Sequence, residues 1–303
     1  MTNNRRFVLV LALFLFLLVL GSVAVIIAKA RIHPPSNGSA AANGPSVREP
    51  GKISAEKPAA ESALKEEFNL PAHSLRVANK TFGFPAGGIP VLMYHAIESL
   101  PGNSLGVPPQ QFAQEMQYLH QHGYQTLSLD VLRNLIQNPQ NTALPTQPIL
   151  LTFDDGYADN YRTAWPIMRQ FGFTGTFFVV TAAVGSGMMT WDNLKDLAQE
   201  GNSIGSHTIH HYDLTTLSPI RLKQELADSK AAIEKELGIS VFAFCYPSGR
   251  YNTATLAMLT QTGYTLAFTT EPGRVTASVS PLTLKRIRVP GGLSLNGFAK
   301  LLN

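Results

Sequence analysis

Two adjacent carboxylates follow a short apolar run near the middle of this chain of 303 residues. Residues 150–153 read LLTF, and Asp154, Asp155 and Gly156 come directly after them. Neighbouring strand residues point to opposite faces, but a glycine permits a turn that lets both carboxylates serve one site. Two ionised carboxylates repel each other, and a bound metal cation relieves that repulsion. Taken alone, Asp-Asp-Gly is also typical of a surface turn.

A second cluster supplies imidazoles. His207 and His211 lie four residues apart in residues 204–214, which read IGSHTIHHYDL. We expect both side chains to face the same way on one helical turn, where they reach one cation. With one carboxylate they form a metal-binding set that leaves positions open for water and substrate. His210 lies off that face, and is either an outer partner of the site or a solvated residue.

Both clusters follow predicted strands of one α/β domain. Short apolar runs alternate with amphipathic helical patterns, which favours a mainly parallel sheet. A small (β/α) barrel would gather the chemistry at the carboxyl ends of its strands, and a flat doubly wound sheet stays open from the pattern alone. The predicted strands are residues 89–94, 149–153, 176–180, 241–246 and 266–269, and the predicted helices are residues 109–122, 160–171, 191–200, 219–237 and 253–262.

The two clusters together resemble a known family. Residues 152–156 (TFDDG) and 206–214 (SHTIHHYDL) closely resemble the first two motifs of the polysaccharide deacetylase family, also called carbohydrate esterase family 4 or the NodB-homology domain. The resemblance runs from about residue 89 to the C-terminus. It implies a distorted (β/α) barrel in which Asp155, His207 and His211 bind a divalent metal and Asp154 is the catalytic base. Zinc is the expected metal, with nickel, cobalt and iron as alternatives.

The third motif of the family departs from its usual form. It normally carries an arginine before a Pro-Tyr-Gly-like turn, but residues 244–249 read FCYPSG and contain none. We expect the turn to persist, with a backbone N–H near Ser248 stabilising the oxyanion and Tyr246 beside it. Alternatively, Tyr246 only closes the strand. Arg286 is predicted to orient Asp154, to contact polymer or to form a structural ion pair, and Trp191, at a predicted helix start, is a further candidate substrate contact.

The histidine that commonly acts as general acid near the C-terminus of the family is also missing, because residues 284–289 read LKRIRV. His95, which ends the apolar run of residues 91–94, is the predicted replacement. This order resembles a rearranged subgroup that includes exported poly-N-acetylglucosamine deacetylases. An imidazole with a pKa near neutrality suits protonation of an amine leaving group. A hydrogen-bonded structural histidine is the alternative.

The N-terminus predicts export. Arg5 and Arg6 precede an uncharged apolar run over residues 7–28, long enough to cross a bilayer with the N-terminus in the cytoplasm. We expect residues 1–30 to be a membrane anchor, with a cleaved signal peptide as the alternative. Residues 31–86, rich in Ala, Pro, Ser and Gly, are predicted to be a flexible linker, and residues 87–303 to be the catalytic domain. The predicted location is the cell membrane, with the catalytic domain outside the cytoplasm.

Composition narrows the possible partners. A formal net charge of +4 is small for this length and does not favour nucleic-acid binding. The single cysteine, Cys245, excludes an internal disulfide and a cysteine-rich zinc site.

The resemblance implies a hydrolase that removes N-acetyl groups from an amino-sugar polymer such as poly-N-acetylglucosamine, peptidoglycan or a chitin-like chain. An O-acetyl esterase acting on a xylan-type glycan, and a catalytically silent glycan-binding module tethered to the membrane, are the alternatives.

Overall fold

A computed structural model describes residues 80–303. The predicted anchor and most of the predicted linker lie outside the described residues. Within residues 80–303, no helix combines the length and the apolar character needed to cross a membrane. The last residues predicted as linker contain a strand, Lys80–Phe82, which pairs antiparallel with Ala143–Pro145. All three of its residues are exposed, so no apolar pattern marked it in the sequence.

Seven parallel strands close into a barrel, and the flat-sheet alternative is therefore wrong. The strands are β1 (Lys80–Phe82), β2 (Val91–Tyr94), β3 (Tyr124–Thr126), β4 (Ala143–Pro145), β5 (Gln147–Phe153), β6 (Thr176–Val179), β7 (Ser203–Ser206), β8 (Ala243–Cys245), β9 (Leu266–Pro272) and β10 (Leu284–Arg288). Around the barrel the order is β2, β5, β6, β7, β8, β9 and β10, and β10 pairs with β2 to complete the circle. The strand β3 pairs with β5 outside this circle.

Helices cover the outside of the barrel, and their ends follow ordinary capping chemistry. Thr190 and Asn193 form a reciprocal capping box, while the longest helix starts at Pro219 and stops at Gly238, whose φ is 68°. A π-helical segment, Asn160–Ala164, leads into the third helix. The helices are α1 (Pro109–Gln121), α2 (Leu129–Gln137), α3 (Trp165–Gln170), α4 (Trp191–Gln199), α5 (Pro219–Leu237), α6 (Thr253–Gln261) and α7 (Leu295–Leu301).

Most barrel strands are buried on both faces, which explains the nearly continuous apolar runs in the sequence. In β5, Leu151 and Phe153 belong to the apolar layer between strands and helices. Leu150 belongs to a second cluster that includes Phe178 and Phe268 and fills the barrel. Because side chains alternate along a strand, residues 152 and 154 continue the inward-facing row of residue 150. The alternation therefore places Asp154, a buried aspartate, inside the barrel at its carboxyl end.

Candidate active site

A sharp turn after β5 separates the roles of the two aspartates. The backbone N–H of Asp154 still donates to Tyr94 O at 3.0 Å, so this residue continues the barrel pairing, and it is only 2% exposed. Asp155 and Gly156 then adopt left-handed backbone angles, with φ of 72° and 83°. The glycine tolerates this conformation freely and the aspartate does so at some cost. The turn leaves Asp154 inside the barrel and brings Asp155 to its open end.

Asp154 forms a buried, bidentate ion pair with Arg286. Arg286 Nη1 and Nη2 donate to the two carboxylate oxygens, each at 2.7 Å, and the guanidinium is fully buried. Further donations to Thr269 O and Thr152 Oγ1 hold the arginine in place. Burial by itself would raise the pKa of Asp154, but the charge and hydrogen bonds of Arg286 outweigh it and hold that pKa well below its ordinary value. The carboxylate is therefore ionised and fixed in orientation.

Arg286 lies within β10. Its guanidinium reaches across the barrel to β8, where Nη2 lies 3.1 Å from Cys245 Sγ. Cys245 comes just before Tyr246 in the third motif, where an arginine was expected. A positively charged group is thus present beside Asp154 although the motif lacks one, and it comes from a different strand.

Three side chains converge next to this ion pair. Asp155 Oδ1 lies 3.4 Å from His207 Nε2 and 3.5 Å from His211 Nε2, and the three potential ligand atoms all lie within 4.8 Å of one another. Ligand atoms held about 2.1 Å from a zinc ion at tetrahedral angles would be about 3.4 Å apart. The spacing of these donors therefore fits a single small divalent cation.

The environment of His207 also fits a cation. Its Nδ1 lies 2.7 Å from the backbone carbonyl of Cys245, which can only accept, so Nδ1 carries a hydrogen and Nε2 faces Asp155. Burial opposes a positive charge here, but Cys245 and Asp155 raise the pKa of His207 well above its usual value, so Nε2 also holds a proton towards Asp155, at the position that a cation would take. Burial and the nearby His207 lower the pKa of His211, which favours the neutral imidazole that binds metals.

The two histidines are not on a helix, so the expected reason for their proximity is wrong. β7 ends at Ser206, and the backbone then turns through left-handed angles at Thr208 and His211, with φ of 73° and 59°. Thr208 Oγ1 accepts a hydrogen bond of 2.8 Å from the backbone N–H of His211 and closes the turn. Two left-handed residues, which no spacing rule reveals, bring the imidazoles to one point; their rings are 4.7 Å apart.

Known proteins are similar to this chain. The sequence profile of the polysaccharide deacetylase family matches residues 141–267. YxkH of Bacillus subtilis strain 168, whose name places it among the polysaccharide deacetylases, is 38% identical over 211 residues, which cover 69% of this chain and 74% of YxkH. The chain belongs to the polysaccharide deacetylase family. The resemblance predicted from the two motifs is thus confirmed.

A solved structure and a more distant relative are also similar to this chain. The deacetylase PplD of Streptococcus pyogenes, solved in complex with acetate, is 33% identical and superposes with a TM-score of 0.67 over 71% of this chain and 98% of PplD. The poly-beta-1,6-N-acetyl-D-glucosamine N-deacetylase of Staphylococcus aureus strain N315 is 23% identical over 237 residues, which cover 73% of this chain and 77% of that protein.

His95 lies close to Asp154. His95 Nε2 lies 4.0 Å from Asp154 Oδ2, and the imidazole is mostly buried. Its backbone carbonyl accepts from Asn160 Nδ2 at 2.7 Å, which ties the turn after β2 to the π-helical segment. Burial lowers the pKa of His95 against the opposing charges of Asp154 and Asp155. The structure thus brings the predicted acid and base together at the carboxyl end of the barrel.

Glu225 is a residue that the sequence analysis missed. It is buried on α5, where Oε2 accepts from the backbone N–H groups of Ile209 and His210 and Oε1 lies 2.7 Å from His210 Nδ1. This carboxylate fixes the loop that carries both candidate metal ligands, His207 and His211. The signal was present in the sequence, because Glu225 shares the buried helix face of Leu222, Leu226 and Ser229.

The three remaining predicted site residues differ in their exposure to solvent. Ser248 is exposed in the turn after β8, with a left-handed φ of 54°. Tyr246 is fully buried, and its hydroxyl donates to Leu282 O at 2.8 Å, so its phenol is not available to a substrate. This placement corresponds to the strand-closing alternative. Trp191 is partly buried at the first position of α4 and packs against the hydrophobic core.

Proposed function

We propose that this protein is a metal-dependent N-deacetylase of an amino-sugar polymer, of the poly-N-acetylglucosamine type, outside the cytoplasm. The single observation that carries the proposal is the arrangement around Asp154. One of its carboxylate oxygens lies 4.0 Å from His95 Nε2, and a carboxylate oxygen lies within 4.8 Å of a ring nitrogen of His207, which forms the group of potential metal ligands with Asp155 and His211. Base, acid and metal-binding groups all share the carboxyl end of one barrel, as amide hydrolysis requires.

In this proposal, Asp154 acts as the base. Arg286 keeps the carboxylate ionised and fixed in orientation, and this carboxylate accepts a proton as the oxygen of water bonds to the acetyl carbon. A divalent cation held by Asp155, His207 and His211 would supply a Lewis acid for the acetamide carbonyl and lower the pKa of the attacking water.

His95 completes the reaction as the acid. It donates a proton to the amide nitrogen as the C–N bond breaks, which releases acetate and leaves a free amine on the sugar. Because burial lowers the pKa of His95, its imidazolium gives up the proton more readily than an exposed one would. The exposed turn at Ser248 is the proposed source of a backbone N–H for the oxyanion.

The named relatives support the choice of polymer. The relative from Staphylococcus aureus is named for poly-beta-1,6-N-acetyl-D-glucosamine, and PplD was solved with acetate, which is the product expected here. Zinc is the proposed metal, because two imidazoles and one carboxylate suit it, and nickel, cobalt and iron are alternatives. We also propose that residues 1–30 anchor the protein in the cell membrane, with the catalytic domain on the extracytoplasmic side.

Acetate release from matched polymers tests the proposal. The full-length protein would be incubated with β-1,6-linked N-acetylglucosamine oligomers and with O-acetylated xylan, each with added zinc and with chelator. We expect release from the N-acetylated oligomers that chelator abolishes and zinc restores. Release from acetylated xylan alone would replace the proposal with an O-acetyl esterase. Binding of either polymer without release, in protein shown to contain metal, would indicate a silent binding module.

A further inference from the structure

An exposed aromatic residue comes directly after a candidate metal ligand in the chain. Among the residues that the structure describes, the large hydrophobic side chains left exposed are Phe82, Tyr212, Ile220 and Leu295. Tyr212 follows His211 in the chain and is 45% exposed. Exposed aromatic side chains are common at binding sites, because a ring offers a large contact area at a low entropy cost.

The ring is not free to move about. Tyr212 stacks on the imidazole of His210, with ring centroids 5.1 Å apart and planes inclined by 18°. His210 Nδ1 is in turn held 2.7 Å from Glu225, which is 1% exposed and also fixes the loop backbone. The imidazole of His210, which is held by Glu225 of α5, thus covers one face of the tyrosine. The opposite face is left for a ligand. Fixing a side chain before binding reduces the entropy that binding must overcome.

Polar groups border the ring. Asp213, the next residue, accepts a 2.7 Å hydrogen bond from Arg250 Nη1, and the side chain of Arg250 is 68% exposed. An exposed aromatic ring, followed in the chain by a carboxylate that holds an exposed guanidinium, suits a pyranose ring, which presents C–H groups on its faces and hydroxyl groups around its edge.

We propose that Tyr212 is a specificity-determining residue that stacks on a sugar ring next to the one being deacetylated. The inference rests on the proposed function, and it deepens it by stating that the site recognises at least two consecutive sugars. His210 and Glu225 are positioning residues for this ring, and they act through Tyr212.

Chain-length dependence tests the proposal. The full-length protein and its Tyr212→Phe and Tyr212→Ala variants would be assayed for kcat/KM on β-1,6-linked N-acetylglucosamine from monomer to pentamer. Phe82→Ala, which removes an exposed aromatic ring from β1, is the matched control. We expect Tyr212→Ala to lower kcat/KM for the pentamer about tenfold and for the monomer less than about twofold, while Tyr212→Phe retains most of the activity. An equal loss at every length, or no loss, would overturn the inference.

Binding separates this inference from the proposed function. The Kd of the N-acetylated pentamer would be measured by calorimetry in zinc-loaded Asp154→Asn protein, with and without Tyr212→Ala. Weaker pentamer binding after loss of Tyr212 supports the stacking role even if the wild-type protein releases no acetate, an outcome that would count against the proposed function alone. Unchanged binding, or a parent protein that binds the pentamer no better than the monomer, would overturn the stacking role.

Discussion

The two ends of the barrel differ in which residue types adopt a left-handed backbone conformation. At the amino end, five turns that lead from a helix into a strand each place a glycine at positive φ: Gly123, Gly172, Gly201, Gly238 and Gly263. At the carboxyl end, turns after β5, β7 and β8 hold the non-glycine residues with positive φ in the described part of the chain, which are Asp155, Thr208, His211 and Ser248. Glycine carries little strain in this conformation, whereas other residues cost about 1–3 kcal/mol each.

The difference shows where the fold accepts strain. Two of the strained residues, Asp155 and His211, are candidate metal ligands, and Thr208 hydrogen-bonds to the backbone of the second. The amino end only has to reverse the chain, so glycine suffices. The carboxyl end has to position ligand side chains, and glycine has no side chain to position. The strain at this end is therefore the cost of presenting ligands, which leads to predictions for each end.

The largest expected effect is loss of a ligand at the carboxyl end. We expect His207→Ala to lose bound metal and to lower deacetylase activity by more than the roughly 100-fold typical of removing an outer partner of a metal site. His122→Ala, an exposed histidine after α1, should leave both unchanged. Metal content by mass spectrometry and acetate release give the two readings. Normal metal content in the His207 variant would remove this residue from the ligand set.

We expect the next largest effect from breaking the buried ion pair between Asp154 and Arg286, which should lower the free energy of unfolding. Arg286→Met leaves the buried Asp154 carboxylate without a partner, so we expect the free energy of unfolding to fall by about 3–5 kcal/mol. Adding Asp154→Leu to this variant removes the orphaned charge and should recover most of the loss. Urea denaturation of the single and double variants measures both effects. A loss below about 1 kcal/mol for Arg286→Met would show that the pair is not the main support of Asp154.

Glu115 is a second buried carboxylate, and it can be compared with Asp154 because it has no arginine partner. Glu115 accepts hydrogen bonds from Tyr94 and Gln111, but burial dominates and raises its pKa from 4.5 to about 7. The folded protein therefore holds this proton more tightly than the unfolded chain, and the stability present below pH 4.5 is lost as pH rises through about 7. Asp154 has the opposite shift, so its contribution is lost only in acid.

Substitution tests this pH dependence. Between about pH 4 and pH 8, Glu115 should cost the folded state on the order of 3 kcal/mol, and Glu115→Gln should remove that part of the slope. Because the hydroxyl of Tyr94 can accept as well as donate, the neutral amide can be accommodated. Urea unfolding of both proteins across this range gives the comparison. Parallel stability curves for the two proteins would contradict the raised pKa.

The smallest expected effects test the strain itself. Gly238→Ala, at φ 68° with no atom within 4 Å of the added Cβ, should destabilise the protein by about 1 kcal/mol through its backbone alone. Ser248→Gly should stabilise it by up to about 1 kcal/mol, since it relieves a left-handed serine. Thermal or urea unfolding measures both. Equal signs for the two substitutions would contradict the proposed division between the ends.

The sequence contained most of the information about which residues meet, but less about why they meet. The apolar run before Asp154 and the alternation of strand side chains place this residue inside a barrel. The family motifs indicated Asp155, His207 and His211 as ligands, and the structure brings them together. The left-handed angles at Asp155 and His211 were not predictable, because non-glycine residues rarely adopt them and the surrounding fold imposes them.

Other features depended on long-range pairing. Arg286 meets Asp154 across 132 positions, and the arginine inside β10 interrupts the apolar pattern by which a buried strand is recognised. α2 was missed although Leu129, Leu132 and Leu135 repeat every third residue and Ser128 caps its start, so the signal was present there. β3 has only three half-buried residues and depends on β5 for its partners.

The most direct test of the account compares the two adjacent aspartates. Asp154→Asn and Asp155→Asn differ from each other by one position, and the turn at Asp155 gives them separate roles. We predict that Asp154→Asn retains metal but loses acetate release by about 10²–10⁴-fold, the usual contribution of a general base, whereas Asp155→Asn loses both. Metal content and acetate release would be measured on the same preparations. Full activity in Asp154→Asn, or full metal content in Asp155→Asn, would contradict the assignment.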